Sequence, residues 1–431
     1  MNTWVLVLLA ILASIILGYV TKVNVGFYAL GFAYIIGCFV MGLKPKAVIA
    51  MWPMDIFMIL FAVNFFYSFA VANGTLEKMA ANILYAFRKQ VALMPFVIFL
   101  IAHVLSAMGA GFYAILAFIM PFSMLICKKT GMNPVLGIMS AAGGAVSGGK
   151  FIISISGKVM EQLIVGAGFP ESEASGYVLT IYLATTLMQF LSLVLIYVFT
   201  KQWKVIKVAM DMEKPEPFDN KQKQMMALMG ALIFVMLAPY LLGLFVKADW
   251  LTFVQNKLDI SLLAIIGSIA ALLLKLGDEK KQLKAMPWGT LIMICGVGIL
   301  IKLGVEAGLI EAVAAWVGSS IPEFLVPLIL TVLAGIMSFF SSTTGVVLPT
   351  LYPMVPALLV SSSFPAALMF GAINIGSIST GISPFSSGGG IALSSCPDEE
   401  SRNSILKILY ALPFIFILLA VIFVLVWELI V

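Results

Sequence analysis

Two segments of this chain gather glycines, hydroxyls and a lone lysine within otherwise oily surroundings. One is Ala142-Gly-Gly-Ala-Val-Ser-Gly-Gly-Lys-Phe-Ile-Ile-Ser-Ile-Ser156, and the other is Asn374-Ile-Gly-Ser-Ile-Ser-Thr-Gly-Ile-Ser-Pro-Phe-Ser-Ser-Gly-Gly-Gly390. Inside a helix Gly costs about 1 kcal/mol and Pro about 3 kcal/mol relative to Ala, so both stretches are expected to unwind. Unwinding frees carbonyls, hydroxyls and helix ends. Carbonyl and Ser/Thr oxygens can ligate a desolvated cation such as sodium, while the N-terminal end of a half-helix offers N–H groups and a positive dipole to an anion. The groups expected to line a small anion are Ser147, Lys150, Asn374, Ser377, Thr380 and Ser383 in the breaks, with Ser106, Ser341, Ser342 and Thr343 from hydroxyl-bearing stretches ahead of them. Oxygens of Ser106, Gly144, Ser147, Ser338, Thr344, Gly376 and Ser379 are the expected sodium ligands. A single such patch in a membrane helix is usually a close packing contact. Two at matching places in a duplicated chain point to a binding site.

Duplication is visible in the spacing. Pro53, Gly74, Glu77, Ala80 and Ala81 match Pro287, Gly308, Glu311, Ala314 and Ala315 at an offset of 234. Ser106 and Pro121 match Ser338 and Pro353 at 232, and Pro134 matches Pro365 at 231. In a membrane protein, duplicated halves with interrupted hydrophobic segments at corresponding places are the sequence signature of a secondary carrier and of its site.

The elements that must position these groups follow from length and hydropathy. With 62% hydrophobic and 10% charged residues over 431 positions, the chain has the composition of a polytopic membrane protein. A span needs roughly 20 apolar residues. The first repeat, 1–200, then offers scaffold helices within 1–73, a hairpin at 91–127, a broken helix at 134–168 and a helix at 177–200. After a cytoplasmic linker at 201–224, the second repeat, 225–431, offers scaffold helices within 225–307, a hairpin at 323–360, a broken helix at 366–395 and a helix at 405–430. The fold expected is all-α: about ten transmembrane helices, two re-entrant hairpins, and helices broken near the midplane. Backbone exposed at that depth is tolerated only against protein or a water-filled cavity, so the hairpin tips are expected to face a site.

Charge sets the orientation. Eighteen Lys and Arg residues fall on one side of this topology and four, Lys44, Lys46, Lys247 and Lys257, on the other, which makes the first side cytoplasmic and puts both termini outside. Each half carries five spans and a hairpin, so the second is inverted relative to the first.

Three basic residues remain outside the loops: Lys150, Lys158 and Lys302. Charge inside a membrane is costly and marks candidates for function. Lys150, beside Gly148 and Gly149, could hold a carboxylate or stand in for a bound cation; Lys158 with Glu161, and Lys302 with Glu306, read as helical ion pairs. His103, the single histidine, reads as a packed residue more readily than as a proton carrier. The embedded acids Asp55, Glu161 and Glu306 map toward the outer ends of spans, which favours sodium over proton coupling.

Several classes are excluded. The net charge of +5 comes from loop residues that orient the chain and implies no nucleic-acid partner. Cys38, Cys127, Cys295 and Cys396 have no metal or disulfide spacing, and no His-Glu-x-x-His or phosphate-loop motif occurs. An enzyme is not expected, nor any cofactor beyond a coupling ion. The apolar stretch from Asn2 to Val20 lacks a basic n-region and a cleavage signal, and reads as a retained helix.

Pro287-Trp288 opening a span that runs to Gly308, the hairpin from Ser338 to Pro353, and Ser379-Thr-Gly-Ile-Ser-Pro-Phe-Ser-Ser-Gly-Gly389 together resemble the ion transporter superfamily. Within it the chain is similar to the divalent-anion/sodium symporters and the related malonate or dicarboxylate carriers. The resemblance implies two inverted repeats, a homodimer built on scaffold helices, and a domain that slides like an elevator carrying a dicarboxylate and sodium. The compact loops point to a prokaryotic inner membrane. The chain departs from those symporters at both hairpin tips, where Ser106-Ala-Met and Ser341-Ser342-Thr343 replace a Ser-Asn-Thr motif. A cation/proton antiporter or inorganic-ion permease on the same architecture is the alternative, and it would draw on His103 or a buried acid such as Glu306.

Overall fold

The computed structural model describes residues 2–205, 213–243, 248–255, 257–309, 312, 321–340, 342–360, 362–383, 386–396 and 399–431, and these are helical with no strand. Helix boundaries follow local chemistry. The Asn24 side chain accepts from the Gly26 N–H at 2.8 Å, that of Asn133 from Val135 at 2.8 Å with Pro134 in the first turn, and that of Asp259 from Leu262 at 2.8 Å. Each supplies an acceptor to N–H groups that the helix itself cannot satisfy.

Contacts gather the chain into two compact units, each drawn from both halves of the sequence. One comprises Met58–Lys158 and Gln189–Pro287; the other comprises Met1–Phe57, Val159–Met188 and Trp288–Val431. In the first unit α1, Met94–Ala107, and α2, Phe112–Thr130, form a hairpin that packs on α3, Pro134–Gly148; the chain turns at 149–154 and enters α4, Ile155–Gly166. In the second unit α5, Val326–Phe340, and the helical stretch Thr343–Leu359 meet at a bend of 118°. There α5 packs on α6, Ala366–Ser379, which is followed by a turn and by α7, Ser387–Ser394. Helix pairs thus run over Met94–Thr130 and over the described residues of 326–359, each followed by a helix that ends at a turn, Pro134–Gly148 and Ala366–Ser379.

Helix lengths refine the expected spans. Met54–Ala72, Glu171–Phe199, Trp288–Glu306 and Asn403–Ile430 are long and apolar enough to cross a bilayer, while most of the other expected spans are apolar helices of 10–17 residues or pairs around a break. The helix expected at 177–200 begins at Glu171, and the first of the scaffold helices expected within 225–307 begins at Asn220. Counting apolar residues misses such polar first turns: Glu171 and Glu173 face a positive helix end, and Asp219 accepts from the Gln222 N–H at 2.8 Å.

In the second unit Trp288–Glu306 crosses Val25–Tyr34 so closely that a Cβ on Gly26 would lie 2.2 Å from the Ile292 carbonyl and one on Gly296 2.4 Å from the Gly26 carbonyl. Val7, Ile11, Ala29, Ala33, Leu300 and Leu303 fill the space around that crossing.

Candidate functional site

The expected site residues divide between the two units: Ser106, Gly144, Ser147 and Lys150 belong to the first, and Ser338 through Ser383 to the second. Ser341 lies outside the described residues, as do Glu311, Ala314 and Ala315 of the repeat and Pro384 and Phe385 of the second break.

Around the first break, glycines bring α1 and α3 together. A Cβ on Gly144 would sit 2.3 Å from the Phe99 carbonyl, and one on Gly148 1.9 Å from that of His103. The Ser106 hydroxyl donates to the Ala145 carbonyl at 2.7 Å, His103 Nδ1 lies 3.0 Å from Ser147 Oγ, and Ser147 donates to the Gly144 carbonyl at 3.0 Å. The turn closes on Ser154, whose hydroxyl bonds to the carbonyls of Gly149 and Phe151, the latter at 2.7 Å. Ser154 Oγ also accepts from the Gly157 N–H at 3.1 Å and so caps α4. The hairpin tip at 108–111 turns on Gly109 (φ +102°) and Gly111 (φ +73°), conformations that side chains resist, and the Tyr67 hydroxyl donates to the Met108 carbonyl.

The second break repeats this construction 232 positions on. A Cβ on Gly376 would sit 2.0 Å from the Thr331 carbonyl, the counterparts of Gly144 and Phe99. Ser386 stands for Ser154: its hydroxyl bonds to the carbonyls of Gly381 at 2.7 Å and Ser383 at 2.8 Å and accepts from the Gly389 N–H at 3.2 Å. Gly157 and Gly389 agree as well, each approaching a carbonyl so closely that a Cβ would lie 1.9 Å from Phe151 O or 2.1 Å from Ser383 O. The position of Gly148 is taken by Thr380, which donates to the Gly335 carbonyl at 2.8 Å, where His103 stands in the first unit.

Hydroxyls are denser in the second unit. Ser338 Oγ lies 2.9 Å from Thr343 Oγ1, which reaches the Ser377 carbonyl at 3.3 Å; Thr380 Oγ1 reaches the same carbonyl at 3.4 Å. Ser338, Thr343, Ser377 and Thr380 are thus brought together, and Ser383 joins them by donating to the Phe339 carbonyl at 2.8 Å. Ser342 caps the segment that follows by accepting from the Gly345 N–H at 3.1 Å, and Thr344 is half-buried beside it. Asn374 is set apart: fully buried within α6, it donates to Thr185 Oγ1 at 2.9 Å while its Oδ1 has no partner among the described residues. The Gly144 and Gly376 carbonyls accept from Ser147 and Ser379 one turn on, the second at 2.5 Å.

Of the other charged candidates, Lys150 is 4% exposed. Lys302 and Glu306 are exposed on Trp288–Glu306, and buried Glu161 accepts from the Ser175 hydroxyl. The sequence reading missed Ser154 and Ser386, the residues that close each turn. Their signal was present in the same spacing, Ser-x-x-Gly at 154–157 and again at 386–389. Tyr67 gives no such signal, because its role depends on a contact 41 positions away.

Residues 1–149 match the family described as dicarboxylate carrier protein MatC N-terminus. The chain is 26% identical over 292 residues to an uncharacterized transporter of Methanocaldococcus jannaschii, an alignment that spans 66% of this chain and 64% of that one. Its fold is similar to the crystal structure of the YdaH transporter of Alcanivorax borkumensis, with TM-score 0.57 and 16% identity over 88% of this chain and 87% of that one. It is similar also to Neisseria gonorrhoeae MtrF, which represents a class of antimetabolite efflux pumps, with TM-score 0.55 and 12% identity over 89% and 82% of the two chains. The dicarboxylate-carrier resemblance read from the sequence is therefore borne out over the first 149 residues, and the chain as a whole has the helical fold of these two solved proteins.

Proposed function

We propose that this chain is a secondary transporter of a small organic anion, a dicarboxylate, moved with sodium by elevator-type alternating access. The observation that carries the reading is the duplicated break: two helices interrupted by turns closed in the same way, each leaving carbonyl ends, hydroxyls and a capped helix start within an apolar chain. The matched family is one of carriers and not of enzymes, which supports transport over catalysis. Ser106, Ser147 and Lys150 at the first break, and Ser341, Ser342, Thr343, Asn374, Ser377, Thr380 and Ser383 at the second, are the contacts proposed for the solute; of the oxygens expected to ligate sodium, Ser338, Thr344, Gly376 and Ser379 at the second break would hold the coupling ion. A homodimer in the inner membrane with both termini outside completes the reading.

The test is uptake of radiolabelled mono-, di- and tricarboxylates into proteoliposomes under an imposed sodium gradient. Dicarboxylate uptake that collapses when choline replaces sodium is expected; uptake of no carboxylate, or uptake indifferent to sodium, would overturn the reading. The contact between His103 and Ser147 favours one alternative, a cation/proton antiporter. It predicts that His103→Ala combined with Glu306→Gln abolishes transport, whereas the sodium-coupled reading predicts that transport persists.

A further inference from the structure

The two modules differ in charge. Residues 324–397, which supply the second hairpin, α6 and α7, contain no Asp, Glu, Lys, Arg or His. In the first unit no acidic residue occurs from Lys78 to Met160, and Lys150 is the one cationic residue between Lys129 and Lys158. It stands just past the carbonyl end of α3, where a positive charge is favoured by the helix dipole, and its own N–H donates to the Ser147 carbonyl at 3.1 Å. The side chain is buried at 4% exposure, and among the described residues its ammonium meets neither a carboxylate nor a hydrogen-bond acceptor. An uncompensated charge in such surroundings is costly unless something brings it a partner. At the equivalent position of the second break, 232 residues on, stands Ile382, so the carbonyl end of α6 has no cationic side chain of its own.

We propose that Lys150 is a resident counter-cation, taking at the first break the place that a mobile sodium ion takes at the second. A dicarboxylate dianion then needs only a single sodium ion in addition to the Lys150 ammonium for the loaded carrier to move without net charge. The charge balance rests on the reading of the solute as a dicarboxylate. The prior claim, that the first break needs no sodium and the second does, can be tested without any organic solute.

The experiment is thermal unfolding of the purified protein in detergent, titrated with sodium chloride against choline chloride at constant ionic strength, without carboxylate. A ligand that binds the folded state raises the midpoint by mass action, so each site adds a saturating phase. The wild type is expected to show one sodium phase, Lys150→Gln to gain a second, and Lys150→Arg to behave as wild type. Ile382→Lys, which places the same ammonium at the second break, is expected to lose the wild-type phase. Two phases in the wild type, a Lys150→Gln response no different from wild type, or no sodium response in any form would each overturn the proposal. Should Lys150→Gln fail to fold, the number of wild-type phases and the Ile382→Lys response decide alone. The anion reading fails separately, by the absence of any carboxylate-dependent stabilisation or uptake.

Discussion

The turn at 149–154 and the described residues that frame the second break, 380–383 and 386, are built on one plan and filled differently. Both hang from a glycine pressed on the carbonyl of a hairpin helix, and both close on a serine that binds two carbonyls behind it and caps the helix ahead. The first places a lysine within this frame and a histidine beside it; the second places only hydroxyls and apolar side chains there. What the duplication preserved is therefore backbone shape. What it let drift is the charge that the shape presents.

This comparison can be broken most severely at the helix crossings. Gly144→Ala and Gly376→Ala would each drive a methyl into backbone, at 2.3 and 2.0 Å from a carbonyl oxygen. Each is expected to cost about 3 kcal/mol or more, because the backbone cannot yield as a side chain would. The measurement is the fall in thermal midpoint in detergent; a mild effect at one crossing alone would show that the two are not equivalent.

Thr380→Val should cost roughly 1 to 2 kcal/mol, since it removes the donor to the Gly335 carbonyl at a fully buried position. The same assay reads it, and because Gly148 has no hydroxyl to lose, the effect has no counterpart in the first unit. Ser154→Ala and Ser386→Ala should each cost about 1 kcal/mol through loss of a helix cap. Near-equal midpoint shifts would sharpen the claim of one plan, while a large inequality would count against it. Tyr67→Phe is expected to cost least, about 0.5 to 1 kcal/mol for one hydrogen bond to the first tip. Limited proteolysis near residues 108–111 should report that local loosening even where the global midpoint hardly moves.

Much of the fold was legible in the sequence because it depends on local properties. Pro134 and Pro365 mark helix starts, glycine runs mark breaks, and apolar length marks helices. Helix starts such as Glu171 and Asn220 were placed late because their polar first turns are stabilised by the helix terminus rather than by burial. Among the candidate groups, Ser338, Thr343, Ser377 and Thr380 come together as a hydroxyl and carbonyl cluster. Asn374 lies apart from them and donates to Thr185 Oγ1 at 2.9 Å. Composition cannot distinguish these outcomes, because the face of a helix on which a side chain lands relative to its neighbour is set by the crossing.

The sequence by itself determined that this is a duplicated helical membrane chain, interrupted twice at corresponding points, with an isolated lysine in one interruption and no charge in the other. Those properties follow from apolar length, from the conformational cost of glycine and proline, and from the expense of charge in lipid, all of which act over a few residues. Only the tertiary structure decided that Ser154 and Ser386 close the turns, that Gly144 and Gly376 are bearings for a neighbouring backbone, and that Lys150 is buried with no carboxylate paired to it among the described residues. Each of those depends on atoms distant in sequence or on the exact path of the chain through the turn, and spacing alone carries no record of them.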